Sequence, residues 1–282
     1  MLKNLKKMIF AIAFIYLILV ITLFSFQRKL QYHPQGDATK IAYCSPPGFE
    51  KKYLTTTDGV KILAWYQKPK TPHNKIILYF HGNAGNFSER EHKFQSFVKN
   101  KLGVLAISYR GYPGSEGSPS ELGLIKDADA ALVFLLDQGY KPKDIIFYGE
   151  SLGSGVAIQL AARINPAAVI LESPFSSIAN VAKKTYWFVP VNLILKDKFE
   201  SIKYVSNITA PVLIIHGTAD QVVPYSEGKK LFDAIISPKR FIAVEGAGHL
   251  KFEDKFLMEE MQKFFTEMRL NKPQRKNKNT VK

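Results

Sequence analysis

Residues 145–157 read Ile-Ile-Phe-Tyr-Gly-Glu-Ser-Leu-Gly-Ser-Gly-Val-Ala. A short β-branched and aromatic run is followed by Gly-x-Ser-x-Gly and then by small residues that a helix accommodates. This order predicts a strand, a tight turn and a helix, with the turn lifting the hydroxyl of Ser151 out of the backbone. Ser151 is therefore the candidate nucleophile.

The residues around Ser151 are more informative than the five-letter motif alone. Gly and Ser are common, so an ordinary turn is the alternative explanation for such a match. Gly149 and Gly153, however, relieve steric pressure on both sides of a strained serine. Further small residues would let the following helix pack close to the sheet: Gly155, Ala157, Ala161 and Ala162.

A nucleophilic serine needs a base, and the base needs a group that orients its ring. Residues 211–215 read as a buried strand, and Asp220 stands in the loop just beyond its carboxyl end. Residues 240–244 read as a further strand, and His249 stands in the glycine-rich loop that follows. We therefore assign Asp220 as the acid and His249 as the base.

The intermediate of acyl transfer also needs backbone N–H groups at the point where negative charge develops. Residues 75–80 read as a core strand that ends in His-Gly-Asn-Ala-Gly-Asn, where the glycines let the backbone approach a substrate. We assign the two oxyanion donors to the N–H groups of Asn83 and Leu152.

Five motifs together resemble those of one superfamily. They are residues 81–84, 109–112, 149–153, 216–220 and 246–249. Over residues 41–268 the chain is similar to the α/β-hydrolases, whose triad follows the same Ser, Asp, His order. The His-Gly-Asn-Ala and Tyr-Arg-Gly-Tyr forms resemble membrane-anchored α/β-hydrolase-domain-containing proteins and their bacterial relatives. That group includes serine hydrolases and protein depalmitoylases, and serine aminopeptidase-like hydrolases share the scaffold.

Residues 41–268 have the length of one α/β domain. Strand and helix patterns alternate through them, which predicts a mostly parallel central sheet with helices on both faces. Strand patterns at 53–57 and 60–67 flank an Asp-Gly pair, which adds an antiparallel hairpin at the leading edge.

A longer connection separates the strands predicted at 168–172 and 211–215. Its apolar residues stand where α/β-hydrolases of this resemblance carry a small cap, which we place at about 176–208. These residues either pack against the sheet or form an acyl-binding wall or membrane-facing lid. On the second interpretation Trp187 and Phe188 are candidate substrate contacts.

Residues 1–40 are predicted to be a membrane anchor and linker. Residues 8–27 carry no charge and are mostly Ile, Leu, Phe, Val and Ala, enough to span roughly 30 Å of hydrocarbon. No small-x-small cleavage site follows, so we favour an uncleaved single-pass anchor over a signal peptide. Three lysines precede the segment and two basic residues follow it, which favours a cytoplasmic amino terminus and an extracytoplasmic catalytic domain.

The net charge of +15 does not indicate a nucleic-acid partner. Residues 1–40 carry six basic and one acidic residue, and the tail at 269–282 carries six basic and none acidic. Most of the excess therefore lies at the two ends, and no nucleic-acid-binding motif accompanies it. A single cysteine, Cys44, allows no internal disulfide.

Other polar residues near the motifs receive structural roles. We expect His216 and His81 to support their loops, Glu150 and Glu172 to make polar contacts, and the helix residues Asp127 and Asp129 to be surface charges. No group of His, Cys and carboxylate residues has zinc-site spacing, so neither a metal nor another cofactor is expected.

The sequence thus predicts a membrane-anchored serine hydrolase that cleaves carboxylic ester or thioester bonds through an acyl-enzyme. The expected substrates are small or lipid-like acyl compounds. A serine peptidase on the same scaffold is the enzymatic alternative. A catalytically silent, membrane-tethered interaction module is the alternative of a different class, and the complete triad motifs count against it.

Overall fold

The computed structural model describes residues 2–36, 45–71 and 74–270. Cys44 and the basic tail beyond residue 270 lie outside these ranges, so the predictions made for them stay predictions.

One central sheet organises the described residues. Its strands are β1 (Glu50–Thr55), β2 (Lys61–Gln67), β3 (Ile76–Phe80), β4 (Gly103–Ile107), β5 (Ile145–Glu150), β6 (Ala168–Glu172), β7 (Val212–Gly217) and β8 (Lys239–Val244). They lie in the order β1-β2-β4-β3-β5-β6-β7-β8. Strands β3 to β8 are parallel, whereas β1 and β2 form an antiparallel hairpin at the leading edge.

The helices connect these strands in the pattern that the alternation predicts. They are α1 (Leu2–Gln31), α2 (Glu91–Lys99), α3 (Glu121–Asp137), α4 (Leu152–Ala161), α5 (Ile178–Thr185), α6 (Val191–Ile194), α7 (Ser201–Tyr204), α8 (Tyr225–Ala234) and α9 (Asp254–Glu267). Helices α5, α6 and α7 lie in the connection between β6 and β7, where the cap is predicted.

The sheet is covered by helices on both faces, which confirms the predicted α/β-hydrolase architecture. Ile76, Leu78 and Phe80 of β3 pack in one apolar cluster with α3, α4 and α8. Ile77 and Tyr79 of the same strand pack in a second cluster with α2 and α9. Every β3 side chain is fully buried, as expected of a parallel strand with a helix layer on each side.

The prediction that Asp127 is a surface charge is wrong. Asp127 lies on the inward stripe of α3 and is fully buried, where its carboxylate accepts hydrogen bonds from the backbone N and the Nε of Arg110, both at 2.8 Å. The Arg110 guanidinium also binds Asp58 beside the hairpin turn. The buried carboxylate is tolerated because Arg110, from a distant loop, pairs with it. The helical spacing of Asp127 does not reveal this partner. Asp129, in contrast, lies at the surface and pairs with Arg163.

The amino-terminal helix α1 contains 30 residues and is, in the described part of the chain, the one helix long and apolar enough to span a membrane. None of its most apolar window is buried against the rest of the protein. Its last turns differ, because Gln27 is buried and bonds to the cap.

Candidate active site

Ser151 occupies a strained turn between β5 and α4. Its φ of 46° lies in the left-handed region, and its N–H donates to the carbonyl of Glu172 at 2.9 Å. A Cβ at Gly153 would lie 2.1 Å from the carbonyl oxygen of Phe80, and one at Gly149 would lie 2.5 Å from the carbonyl oxygen of Gly153. The turn can close this tightly only because both positions are glycine.

The structure brings Ser151, His249 and Asp220 into one chain of hydrogen bonds. His249 Nδ1 lies 2.7 Å from Asp220 Oδ2, and His249 Nε2 lies 3.0 Å from Ser151 Oγ. A carboxylate can only accept, so Nδ1 carries the proton and Nε2 is left to accept the serine hydroxyl. This is the arrangement in which an imidazole takes a proton from an attacking serine.

The Asp220 carboxylate is held ionised by its surroundings. Its Oδ1 accepts the backbone N–H groups of Val222 and Val223, at 2.9 and 2.8 Å. Burial alone would raise the pKa of Asp220, but hydrogen bonds from His216 and His249 hold it well below its usual range. His216 is fully buried and its Nε2 also lies 3.1 Å from the Val223 carbonyl oxygen, so it supports this turn.

The two predicted oxyanion donors lie beside Ser151, because Asn83 and Leu152 line the same cavity. The side chain of Asn83 is engaged elsewhere: its Nδ2 donates to the Gln31 carbonyl at 2.5 Å, and its Oδ1 accepts from the Tyr112 hydroxyl at 2.9 Å. The backbone of Asn83 is therefore the part of this residue that can serve an oxyanion.

His81, at the start of the same loop, is fully buried. Burial and the nearby Arg90 charge lower the pKa of its imidazole to about 3, so the ring is neutral. Its ring lies 4.2 Å from that of Tyr109, centroid to centroid. His81 thus packs the loop that carries Asn83.

A buried ionic cluster lies behind the elbow, and sequence reasoning missed its central cation. Lys93 of α2 contacts Glu150 and lies 2.7 Å from Glu172, whose carboxylate also accepts the Tyr148 hydroxyl. Glu150 and Glu172 are partners across β5 and β6, so both carboxylates reach one ammonium. Lys93 follows the helical spacing of an ordinary surface lysine, and no sequence signal marks it as buried.

At both carboxylates, Lys93 opposes the rise in pKa that burial causes. Burial would raise the pKa of Glu150, yet the charges of Lys93 and Arg90 lower it to about 2. Burial raises the pKa of Glu172, with Lys93 opposing the shift. Because Glu150 immediately precedes Ser151 and Glu172 accepts the Ser151 N–H, the cluster fixes the base of the elbow.

A cavity of about 600 Å³ opens at Ser151. Its wall is mostly apolar and comes from the cap, from the end of α1 and from the loop after Asp220. Cap side chains in the wall include Ile178, Val181, Ala182, Val189, Val191, Ile194 and Leu195. The cavity is therefore suited to an apolar group attached to a carbonyl at Ser151.

Trp187 and Phe188, predicted as substrate contacts, do not line this cavity. Trp187 is 80% exposed and Phe188 is 42% exposed, whereas the following Val189 is buried and points its apolar surface into the cap cluster. The chain reverses at the tip of the cap, so the two aromatic rings lie on its outer face. Apolar character alone could not distinguish the two faces.

Within the described residues, no group of three or more His, Cys, Asp or Glu side chains could hold a metal ion.

The sequence profile of the family described as "Serine aminopeptidase, S33" matches residues 71–203 and 200–255. Both the elbow and the loops that carry Asn83, Asp220 and His249 fall inside the match. The chain is an α/β-hydrolase of the serine aminopeptidase S33 family. The predicted superfamily is thereby confirmed.

Relatives of this α/β-hydrolase occur in bacteria and animals. An uncharacterised protein of Mycobacterium tuberculosis is 35% identical over 257 residues, which are 88% of this chain and 90% of that protein. Alpha/beta hydrolase domain-containing protein 17B of Xenopus tropicalis is 36% identical over 77% of this chain and 75% of its own length. The Pyrococcus furiosus esterase Pf2001 has the same fold, with a TM-score of 0.65 at 19% identity over 84% of this chain and 97% of the esterase.

Replacing Lys93 with methionine leaves two buried carboxylates without their shared cation. We expect the free energy of unfolding at pH 7 to fall by about 3–5 kcal/mol. Arg90 still pairs with Glu150, whereas Glu172 loses the cation that opposes the effect of its burial, so the pKa of Glu172 rises further above its unfolded value. The loss of stability therefore grows as the pH rises and narrows between pH 7 and pH 5. Urea unfolding of the full chain in detergent, followed by circular dichroism at both pH values, measures the change.

The matched control is Lys99→Met, on the same helix but exposed. It should change the unfolding free energy little at either pH. A Lys93→Met loss no larger than that of Lys99→Met, or one that does not depend on pH, would contradict the proposed role of the cluster.

Proposed function

We propose that this protein is a membrane-anchored serine hydrolase that cleaves carboxylic ester or thioester bonds of lipid-like acyl substrates. The observation that carries the proposal is the hydrogen-bond chain from Asp220 through His249 to Ser151, at the base of an apolar cavity. A serine so placed can form an acyl-enzyme with a substrate whose acyl chain fills that cavity.

The reaction begins when Ser151 Oγ attacks the acyl carbonyl and His249 Nε2 takes the hydroxyl proton. Asp220, kept ionised by its hydrogen bonds, stabilises the imidazolium that forms. The carbonyl oxygen becomes an oxyanion, which the N–H groups of Asn83 and Leu152 stabilise. The intermediate then collapses, and the leaving alcohol or thiol departs with the proton from His249.

Water completes the cycle. His249 takes a proton from the water as its oxygen attacks the ester carbonyl on Ser151, and the second intermediate releases the carboxylic acid while the proton returns to Ser151. The residues in hand complete this cycle, so the proposal requires no cofactor.

The membrane part of the proposal concerns α1. Residues 8–27 form an uncharged stretch of helix long enough to cross a bilayer, and the basic residues that precede it favour a cytoplasmic amino terminus. The catalytic domain would then lie on the extracytoplasmic side. To test this orientation, a reporter protein that works only in the cytoplasm can be fused after Lys282. Activity of the fused reporter would contradict the extracytoplasmic placement.

A peptidase is the second candidate, because the matched family is described as serine aminopeptidase. An aminopeptidase must recognise the positively charged amino terminus of a peptide, for which a carboxylate at the site is the expected partner. The described residues that line the cavity include neither Asp nor Glu, and one of them is Lys184. This lining favours an uncharged acyl chain over a peptide terminus.

We expect a fluorophosphonate probe to label the wild-type protein at Ser151, because the probe reacts with serines that an adjacent histidine activates. Ser151→Ala should abolish labelling, and Ser118→Ala, at an exposed serine outside the site, should leave it intact. Gel fluorescence reads out the label. A folded wild-type chain that takes up no label would instead support a catalytically silent module.

A substrate series separates the esterase from the peptidase. For p-nitrophenyl esters, kcat/KM should rise with acyl length, since each methylene buried in the cavity contributes about 0.8 kcal/mol. Aminoacyl p-nitroanilides should turn over more slowly than every ester in the series. Faster cleavage of the anilides would reject the esterase in favour of the aminopeptidase.

A further inference from the structure

The carboxyl-terminal turns of α1 form part of the cavity wall. Leu23, Gln27, Leu30 and Gln31 all line the cavity that contains Ser151. The helix that is apolar enough to enter a bilayer is therefore also part of the substrate site. A helix that served only as a tether would need no such contact.

Specific polar bonds hold this end of α1 against the cap. The buried Gln27 donates from Nε2 to the Ile194 carbonyl at 3.1 Å, and its Oε1 accepts the Lys196 N–H at 2.6 Å. Arg28 forms a two-pronged ion pair with Asp197, whose carboxylate is almost fully buried. These bonds fix both the rotation of α1 and its position along the cap.

The same segment continues to the oxyanion loop. Beyond the Gln31 to Asn83 bond, the His33 N–H donates to Asn83 Oδ1 at 3.2 Å, and Gln35 N–H donates to the Gly85 carbonyl at 3.3 Å. The position of α1 is thus connected through two hydrogen bonds to Asn83, the residue proposed to stabilise the oxyanion, and through a third to Gly85 of the same loop.

A contact nearer the amino terminus of α1 indicates how deep the cap would lie in a bilayer. The Tyr16 hydroxyl donates to the Phe188 carbonyl at 3.0 Å. Tyr16 precedes Gln27 by eleven residues, which is about 16 Å along a helix. One leaflet of hydrocarbon is about 15 Å thick, half of the roughly 30 Å core. If residues 8–27 cross the bilayer, Tyr16 lies near its middle, and the cap tip that it contacts lies in the hydrocarbon of the adjoining leaflet, below the headgroups.

The exposed surface of the cap suits that position. Trp187 and Leu193 are 80% and 85% exposed, and Phe188 is 42% exposed. Lys183 precedes this tip, and its long side chain can extend toward lipid phosphates while its stem remains in an apolar layer. Grouped exposed apolar and aromatic side chains mark a surface that a hydrocarbon layer can cover.

We propose that the cap tip is embedded in the leaflet next to the catalytic domain, and that the acyl chain of a membrane lipid enters the cavity between α1 and the cap. The physiological substrate is then an acyl ester resident in the bilayer, not one dissolved in water. The catalytic half of this inference rests on the proposed function, whereas the embedding of the cap does not.

The protein contains its own reporters, because its two tryptophans are Trp187 at the cap tip and the core residue Trp65, 3% exposed. We would reconstitute the full chain into phosphatidylcholine vesicles with and without brominated acyl chains. Trp187→Phe leaves only Trp65, so the difference between wild type and this variant gives the emission of Trp187. Trp65→Phe, once circular dichroism shows that it is folded, measures Trp187 directly.

We expect the Trp187 emission to be blue-shifted in vesicles and to lose intensity in brominated lipid, with Trp65 quenched less. Emission at the wavelength of a water-exposed indole, quenched by aqueous iodide but not by brominated lipid, would overturn the embedding. This measurement does not require catalysis. It can therefore reject the embedding of the cap while the proposed hydrolase activity is kept, or support the embedding for a protein that shows no activity.

A second variant tests the entry route. Leu23→Trp places a larger side chain in the part of the wall that α1 contributes, so the cavity becomes narrower. We expect the ratio of kcat/KM for a long-chain ester to that for an acetyl ester, measured in vesicles, to fall by about tenfold or more. Ile21→Trp, at an exposed α1 position outside the cavity lining, should leave this ratio unchanged. Equal ratios in the two variants, with fluorophosphonate labelling intact, would overturn entry beside α1 while leaving the hydrolase in place.

Discussion

The close approach of α4 to the end of β3 is the constraint on which the site depends. No side chain fits at Gly153, because a Cβ there would overlap the backbone carbonyl of Phe80. The hydroxyl of Ser151 is displayed only because the backbone turns this sharply, with Ser151 itself in the left-handed region. The same approach places Leu152, at the start of α4, beside the loop that follows β3 and carries Asn83.

Parallel topology assembles the remaining groups around that turn. Strands β5, β6, β7 and β8 are successive neighbours, so the loops that follow them open at one edge of the sheet. Ser151, Asp220 and His249 thus meet although 98 positions separate the first from the last. Beneath them, Lys93 forms ion pairs with two carboxylates that the pairing of β5 and β6 sets side by side, and Arg90 supplies a second cation beside Glu150.

The sequence predicted the parts of the structure that are encoded locally. Strand runs ending in glycine-rich loops located β3, β5, β7 and β8, and their order predicted the parallel sheet. The role of Lys93, the burial of Asp127 and the outward direction of Trp187 could not be predicted, because each depends on which distant residue the fold brings alongside. The contribution of α1 to the cavity was missed for the same reason: an uncharged helix predicts a membrane span but not a packing partner.

In the proposed reaction, Ser151 carries the acyl group between the two halves of the cycle. Acid quenching during turnover of p-nitrophenyl octanoate, followed by mass spectrometry of the digested protein, tests it directly. We expect an octanoyl adduct on the peptide that contains Ser151, and loss of that adduct in Ser151→Ala. Release of octanoate by a protein whose Ser151 peptide never gains mass, or an adduct on another residue, would contradict it.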